Sequence, residues 1–168
     1  YWKVPSLGLC KAGGSSDYIN NCVPINNYSV NPYGTNLYTT AHLGSGCSGI
    51  FCNPAGYYEY IRNGLYIPLT SGVTYSASMW VKLMSQSKYA IKDLNAVLSP
   101  SAPCQGSVST TNMTLPTSGQ SIPFGNSWLT NKTGWTQLTT TFVATANHAY
   151  LTIGSFTNVG GSNNLNLN

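Results

Sequence analysis

The stretch that decides the fold class runs from Val73 to Met84 and has the sequence VTYSASMWVKLM. Apolar side chains recur at every second position, and successive side chains of a β-strand point to opposite faces. The pattern therefore predicts a strand with one buried face and one solvent-facing face. The predicted buried face carries Tyr75, Ala77, Met79, Val81 and Leu83, and the solvent-facing one carries Thr74, Ser76, Ser78, Lys82 and, as an apolar exception, Trp80.

The same kind of pattern occurs elsewhere in the chain, and no window shows helical periodicity over three turns. Alternation predicts strands over Gly134–Ala144 and His148–Phe156, and the short Thr-Ala-Asn link between them predicts a hairpin. Tyr57–Arg62 and Tyr89–Ser99 supply two more strands. Short strands separated by Gly, Pro and Asn are typical of a β-sandwich or a barrel. We therefore predict an all-β fold.

We expect residues 1–168 to form a single domain, since 168 residues suffice for one core and no domain boundary is evident. Residues 1–55 are irregular and hold most of the cysteines, and residues 56–156 hold the main strands. The segment 99–131 is rich in Ser, Thr and Pro, which predicts a long loop with one or two short strands. Residues 157–168 form a low-complexity tail without a packing signal.

Charge is scarce in this chain. Charged residues make up 6% of it, against about 25% in an average soluble domain. The 7 basic residues are spread out and form no stripe, so we expect no nucleic-acid partner. No apolar run approaches the roughly 20 residues of a membrane span, so we expect no membrane insertion. A neutral, hydroxyl-rich and Tyr-rich surface is poorly protected against self-association. It suits an extracellular, secreted or cell-surface protein that assembles.

The five cysteines indicate an oxidising compartment and disulfide bonds. Short loops between turn residues favour the pairs Cys10–Cys22 and Cys47–Cys52, although fifteen arrangements of two bridges are open. Cys104 would then be a free thiol or form an intermolecular bridge. A zinc site made by Cys47, Cys52 and His42 is disfavoured because the paired C-x2-C spacing of structural zinc sites is absent.

Catalytic motifs are missing. Glu59, Asp17 and Asp93 are the only acids, and no two of them show the context of a glycosidase pair. No G-x-S-x-G motif occurs, and His42 and His148 are too far apart in sequence to suggest a unit. We therefore interpret Glu59 as a structural carboxylate, expect no enzyme activity, cofactor or metal, and keep an unrecognised hydrolase as the last alternative.

Aromatic side chains are the positive feature, with 4 Trp, 12 Tyr and 4 Phe. Exposed Trp and Tyr rings can stack on sugar rings or contribute to protein interfaces. Trp2, Trp80 and Trp128 are candidates for either role, whereas Trp135 at a strand start is expected in the core. Asn-x-Ser/Thr sequons occur at Asn27, Asn112 and Asn131.

Three stretches together resemble a known module: SDYINNC (16–22), EYIRNGLYIPLTSGVTYSASMWVKLMSQSKYAIKDLNAVLS (59–99) and GWTQLTTTFVATANHAYLTIGSF (134–156). It is the jelly-roll module of large secreted cell-surface proteins of gliding-type Bacteroidota. In outline the module is similar to galactose-binding-like and carbohydrate-binding jelly rolls. The similarity extends over most of the chain through Glu59-Tyr60-Ile61, Leu69, Gly72, Tyr75, Trp135 and Phe142.

The resemblance implies a jelly-roll β-sandwich in which Glu59 belongs to a strand signature and has a structural role. Such modules usually have an additional first strand and a last aromatic-rich strand with adjacent aspartates. This chain begins at Tyr1 and ends in NNLNLN, so the calcium site of some related modules is not expected here. We expect a piece of a longer protein, or a subunit that a neighbour completes by strand addition.

The function predicted from the sequence is that of a non-catalytic, extracellular structural or adhesive module that self-assembles into a fibre, surface layer or larger adhesin. Its partners would be further copies or neighbouring domains of a surface protein. The alternative is a carbohydrate-binding module whose exposed Trp and Tyr side chains stack on glycans.

Overall fold

The computed structural model describes residues 17–20, 41–52, 59–103, 119–125, 127–156 and 164–167. Every regular element within these ranges is a β-strand, and every strand pair is antiparallel, which confirms the all-β prediction. No helix in the described part is long and apolar enough to cross a membrane. The strands are β1 (Asp17–Asn20), β2 (Gly46–Gly49), β3 (Ile61–Gly64), β4 (Thr74–Val81), β5 (Tyr89–Ile91), β6 (Leu94–Ser99), β7 (Gln120–Ile122), β8 (Thr136–Val143), β9 (Tyr150–Ser155) and β10 (Asn164–Asn166).

Four strands form the main sheet, in the order β3-β9-β6-β7. One of its faces carries the core, in which Ala96, Leu98 and Ile122 are almost completely buried. Partly buried side chains of β9, among them Leu151, pack against this cluster. This hydrophobic cluster on one face of the main sheet is therefore the core of the described part of the chain.

β4 and β8 form a separate two-stranded sheet, here called the ribbon. Its two strands pair over eight positions, from Thr74 opposite Val143 to Val81 opposite Thr136. Phe142 of β8 packs against the core of the main sheet, so the ribbon lies over that sheet. Two apolar faces packed together give the described part a sandwich-like architecture.

The opposite face of the main sheet is organised by Tyr60, which is 1% exposed. Its ring lies directly over Gly154 of β9, where an added Cβ would overlap the ring atoms. The Tyr60 hydroxyl donates to the carbonyl oxygen of Ser155 at 2.9 Å. Cys52 and Phe156 pack around the same ring. Gly154 is thus required by the close approach of an aromatic ring.

The predicted hairpin between the strands at 134–144 and 148–156 is wrong. β8 pairs with β4, whereas β9 pairs with β3 and β6, so the link between them passes from the ribbon to the main sheet. Backbone hydrogen bonds hold this link to both: the Ala144 amide donates to Val73, and the Ala149 amide donates to Ser99. Packing of the two apolar faces therefore prevails over the local turn signal.

Two further sequence predictions need correction. The predicted strand 89–99 is divided into β5 and β6 at Asp93, whose φ of 61° is left-handed. The tail is not wholly without structure, because β10 pairs with β5. Within the first 55 residues, which were predicted to be irregular, β1 and β2 pair as a two-stranded sheet. Residues 1–16, 21–40 and 104–118 lie outside the described part.

Candidate functional site

One face of the ribbon is turned to solvent along its whole length. Exposed and partly buried positions alternate strictly on both strands, which confirms the alternation predicted for β4. Cross-strand neighbours in an antiparallel pair lie on the same face, so the exposed positions of both strands form one continuous surface. This outer face consists of Thr74, Ser76, Ser78 and Trp80 of β4 and Gln137, Thr139, Thr141 and Val143 of β8.

The outer face is neutral and rich in hydrogen-bonding groups. Hydroxyl groups occupy its centre, where the oxygens of Ser76 and Thr141 lie 3.5 Å apart across the strands. At one end the amide of Gln137 lies opposite Trp80. Hydroxyls and amides can both donate and accept hydrogen bonds, which suits neutral polar partners.

Trp80 ends this surface in an aromatic cluster. Its ring is 42% exposed and stacks on His42, with centroids 3.9 Å apart and an interplanar angle of 15°. Trp135 meets His42 edge-on, at 6.0 Å and 71°. The stack on His42 supports the Trp80 ring, and a supported ring loses little freedom on binding. Sequence reasoning considered His42 as a zinc ligand and as a partner of His148 and missed this contact, because the loop holding His42 is remote in sequence from β4.

The backbone edges of the ribbon are its second notable feature. In the described part of the chain, β4 and β8 pair only with each other. The side of each strand that faces away from its partner therefore belongs to no further ladder there. Edges of this kind are templates for pairing with another chain.

Trp128 lies away from the ribbon's outer face. The Nζ atom of Lys92 lies 5.8 Å from the centroid of its ring. Trp128 also lines a cavity of about 130 Å³ beside the turn between β5 and β6. The structure thus separates Trp80 from Trp128, and the third candidate, Trp2, lies outside the described residues.

Glu59 is buried beside β3, with 4% of its surface exposed. Its Oε2 accepts a hydrogen bond from the amide of Phe51 at 2.8 Å, and its own amide donates to the Phe51 carbonyl at 2.9 Å. These two hydrogen bonds connect the segment that precedes β3 to the segment around Phe51. Its contacts are those expected of a structural group.

The expected bridge between Cys47 and Cys52 is not formed, because both are free cysteines. Cys47 lies in the extended strand β2, and extended chain carries two cysteines apart, whereas a disulfide needs Cα atoms within about 7 Å. Cys52 packs beside Tyr60. Burial, with a smaller contribution from the charge of the nearby Glu59 carboxylate, raises the pKa of the Cys52 thiol to about 12. Cys10, Cys22 and Cys104 lie outside the described residues.

Burial also raises the pKa of the Cys47 thiol, although the charge of Lys82 opposes the shift. A thiol with a raised pKa is mostly protonated at neutral pH and is a poor nucleophile and metal ligand. Among the described residues, no three His, Cys, Asp or Glu side chains lie close enough together to hold a metal ion. The discarded zinc site at Cys47, Cys52 and His42 therefore has no counterpart in the structure.

His148 is completely buried in the link between β8 and β9. Its Nε2 lies 3.4 Å from the hydroxyl of Thr145, and burial lowers the pKa of the imidazole. His42 belongs to the aromatic cluster, so the two histidines have different environments. The sequence prediction that they form no unit agrees with this placement.

These elements define an all-β, sandwich-like module with a neutral outer face that ends in an aromatic cluster. Comparison with known proteins does not assign the chain to a family: no family model, no curated protein and no solved structure matches it. Its function must therefore be argued from the outer face and the ribbon edges.

Proposed function

We propose that this chain is a non-catalytic, extracellular structural or adhesive module of the jelly-roll type that self-assembles through its ribbon. The observation that carries the proposal is the composition of the ribbon edges. β4 and β8 each run for eight residues, and neither contains a charged residue. The contacts of the module with its neighbours would be made by strand addition at these edges.

Charge is the usual protection of an exposed strand edge. Natural proteins place Lys, Pro or a bulge on long edge strands because unprotected edges pair with other chains. In this chain the nearest base, Lys82, comes only after β4 ends. With 6% charged residues overall, long-range repulsion between copies is also weak. The ribbon is therefore suited to intermolecular pairing.

Apolar groups at the two ends of the outer face add to this tendency. Trp80 is 42% exposed at one end, and Val143 is 51% exposed at the other. Val73, which is 43% exposed, directly precedes β4. Burial of apolar area is the main favourable term in association, at about 25 cal/mol per Å². A neighbouring strand laid along the ribbon would cover part of these side chains.

We treat the module as non-catalytic because no three His, Cys, Asp or Glu side chains lie together among the residues that the structure describes. Glu59 holds the loop at Phe51, and His148 is buried between the two sheets. Low charge and abundant hydroxyl groups support the extracellular location, and the resemblance to secreted surface modules supports the jelly-roll topology and the adhesive role.

Hydrogen exchange at several protein concentrations tests the assembly. In strand addition, a neighbouring chain accepts hydrogen bonds from those backbone amides of β4 or β8 that point away from the partner strand. We therefore expect the hydrogen exchange of these amides to slow as the protein concentration rises. Ser78→Lys should abolish this protection, because a lysine on an edge strand opposes pairing. Ser101→Lys, in an exposed bend of the chain, is the matched control and should leave it unchanged. Exchange that is independent of concentration in the wild type would overturn the proposal.

The aromatic cluster favours a second candidate function, the binding of neutral glycans on the outer face. Trp80 offers a partly exposed ring supported by His42, and hydroxyl and amide groups follow it along the ribbon. Sugars present an apolar face to an aromatic ring and hydroxyls to such polar groups. A saccharide chain could therefore lie along the outer face.

A glycan array tests this candidate with a matched pair of variants. Trp80→Ala should abolish binding of neutral glycans, since it removes the stacking ring. Tyr66→Ala removes a fully exposed aromatic side chain elsewhere and should have no effect. Equal binding by both variants would exclude the outer face as the glycan site.

A further inference from the structure

The free edge of β8 is closed at one end by the side chain of Gln120 in β7. Its Nε2 atom donates to the Val143 carbonyl at 2.7 Å. Its Oε1 atom accepts from the Thr145 amide at 2.8 Å and from the Thr145 hydroxyl at 3.1 Å. The side-chain amide thus makes the hydrogen bonds that a neighbouring strand would make. A strand laid along β8 would meet Gln120 before it reached the end of β8.

The alternation of the ladder shows which backbone groups of the ribbon point outwards. In an antiparallel pair, successive residues bond the partner strand and point away from it in turn. The Ala144 amide donates to the Val73 carbonyl at 2.9 Å, so the backbone groups of Ala144 face the chain around β4. Those of Val143 and Thr145 point the opposite way, in agreement with their bonds to Gln120.

The same alternation leaves β4 with a complete row of outward groups. Thr74 lies opposite Val143, whose backbone groups point away from β4, so those of Thr74 point away from β8. Every second residue of β4 shares this orientation: Thr74, Ser76, Ser78 and Trp80. Among the described residues, no further strand pairs with this edge and no hydrogen bond caps it. β4, unlike β8, is therefore open over its whole length.

The open edge of β4 is complementary to itself. Two copies related by a two-fold axis bring the same edge together in antiparallel orientation. With the axis at Ala77, Ser76 lies opposite Ser78 of the second copy, and Thr74 lies opposite Trp80 of the second copy. Each pair joins two residues whose backbone groups point outwards, so all four residues of the row gain partners. A shift by one residue would set outward groups against inward ones.

The side chains suit this arrangement as well. The middle of β4, residues 76–78, has the sequence Ser-Ala-Ser, and these small side chains allow close approach of two strands. Trp80, 42% exposed, would lie near Val73 of the second copy, which is 43% exposed, so pairing would bury apolar area of both. Lys82, the first base after β4, would lie level with Gly72 of the second copy. No like charges would therefore meet along this edge.

We propose that two copies of this chain pair through their β4 edges, antiparallel about Ala77, and that Gln120 keeps further copies from adding to β8. The inference rests on the proposed self-assembly through the ribbon, and it names the partner: the β4 edge of a second copy. Because both copies use the same edge, the ribbon contact closes at two chains. The two outer faces then form one four-stranded surface, in the order β8-β4-β4-β8, with an aromatic cluster at each of two opposite ends.

A matched pair of lysine substitutions tests which edge pairs. Ser78→Lys and Thr139→Lys change outer-face residues that lie directly opposite each other on the two strands. We expect light scattering to give a wild-type mass that rises with concentration and levels off at two chains. Ser78→Lys should stay at one chain, because a lysine on an edge strand opposes pairing. Thr139→Lys should behave like the wild type, because β8 lies outside the contact.

Gln120→Ala tests the cap on β8. Loss of the side chain frees the backbone groups of Val143 and Thr145, so the β8 edges of two dimers can pair and the mass should exceed two chains. Ser121→Ala changes the exposed neighbour of Gln120 in β7 and is the control, which should stay at two chains. A mass of Gln120→Ala that also levels off at two chains would overturn the role of Gln120.

Hydrogen exchange of the wild type tests the same edge without a substitution. Pairing at β4 protects the outward amides of that strand, so exchange at Ser76 and Ser78 should slow as concentration rises. Exchange at Thr139 and Thr141 of β8 should not change with concentration. Slowing at β8 in place of β4, or equally on both strands, would overturn the assignment of the edge.

The results separate the edge assignment from the assembly itself. A wild-type dimer that persists in Ser78→Lys overturns the β4 contact and leaves self-assembly standing. Reduction of both lysine variants to one chain overturns it as well, because both edges would then take part. Growth of the wild type beyond two chains overturns the closure. A wild-type mass of one chain at every concentration overturns both proposals. Thermal unfolding of each variant shows that it is folded.

Discussion

The main sheet and the ribbon use β-structure in opposite ways. The main sheet is largely buried on both faces of its central strands β6 and β9, and even its polar residues Arg62, Ser99 and Thr152 are almost inaccessible. The ribbon buries one face against the main sheet and leaves the other to solvent. Arg62 and Ser99 of the main sheet make hydrogen bonds inside the fold, whereas the buried Oγ1 of Thr152 has no hydrogen-bond partner among the described residues. Polar groups on the outer face of the ribbon, by contrast, are available to partners.

The contacts of Arg62 show this difference at one residue. Its guanidinium is buried and donates to the backbone carbonyl of Pro103 at 2.5 Å. A charge that is buried in this way serves the fold, because losing its partner is costly. Ser76 and Thr141 on the ribbon, by contrast, make only a 3.5 Å contact with each other. Exposure, and not polarity, therefore distinguishes the candidate functional face.

The largest predicted effect tests the tightest packing in the main sheet. Gly154→Ala should lower the free energy of unfolding by about 3 kcal/mol, at the upper end of the cost of overpacking, because its Cβ would overlap the Tyr60 ring. Gly64→Ala in β3 is the control, since its Cβ would make an ordinary 3.7 Å contact with Tyr150. Urea denaturation measures both. Equal effects of the two substitutions would contradict the described packing.

The next prediction compares the two faces of the ribbon. Phe142→Ala should lower the free energy of unfolding by about 2–3 kcal/mol, somewhat less than for a fully buried phenylalanine, because Phe142 packs on the main sheet. Thr141→Ala on the outer face should change it by less than about 0.5 kcal/mol. Urea denaturation again measures the difference. Similar losses would mean that the outer face is also packed.

Because His148 is buried in the link between the two sheets, the stability of the fold should depend on pH. Burial lowers the pKa of its imidazole in the folded state, and its Nδ1 has no hydrogen-bond partner among the described residues. The unfolded chain therefore takes up a proton first, as pH falls below the ordinary value of about 6.5. Stability is complete above that pH and should decrease below it, by at most about 1.4 kcal/mol per pH unit for one proton.

Chemical denaturation between pH 7.5 and about pH 5 measures this loss, above the range in which carboxylates titrate. His42→Gln keeps His148 and should retain the pH dependence. His148→Gln should remove it, whatever its effect on stability at neutral pH. A stability that is flat over this range in the wild type would contradict the buried, neutral His148.

Sequence predicted the ribbon better than the rest of the fold. Alternation located β4 and β8 within three residues of their bounds, because a half-buried strand shows its two faces directly in its residues. It did not predict that β8 pairs with β4 and not with β9, the next strand along the chain. Strand pairing depends on which apolar faces meet in space, and a short link such as Thr145-Ala146-Asn147 does not reveal that.

The site shows the same limit. Sequence reasoning identified Trp80 as the apolar residue on a polar face, and its exposure agrees with that interpretation. The stack on His42 and the cavity at Asp93 were missed, because each depends on contacts between remote segments. The left-handed φ at Asp93 gave no signal in the predicted strand 89–99. The sequence signals that could have found these sites were weak: a break between Ile91 and Leu94, and an Asn-rich segment near Trp128.

The native mass in solution tests the central claim, self-assembly through the ribbon, most directly. Light scattering over a range of concentrations should give a mass above that of one chain, rising with concentration in wild type and in Ser101→Lys. Ser78→Lys should remain a single chain, because lysine blocks the ribbon edge. A reduced sample shows whether disulfides contribute to the assembly. A wild-type mass equal to one chain at every concentration would contradict the account.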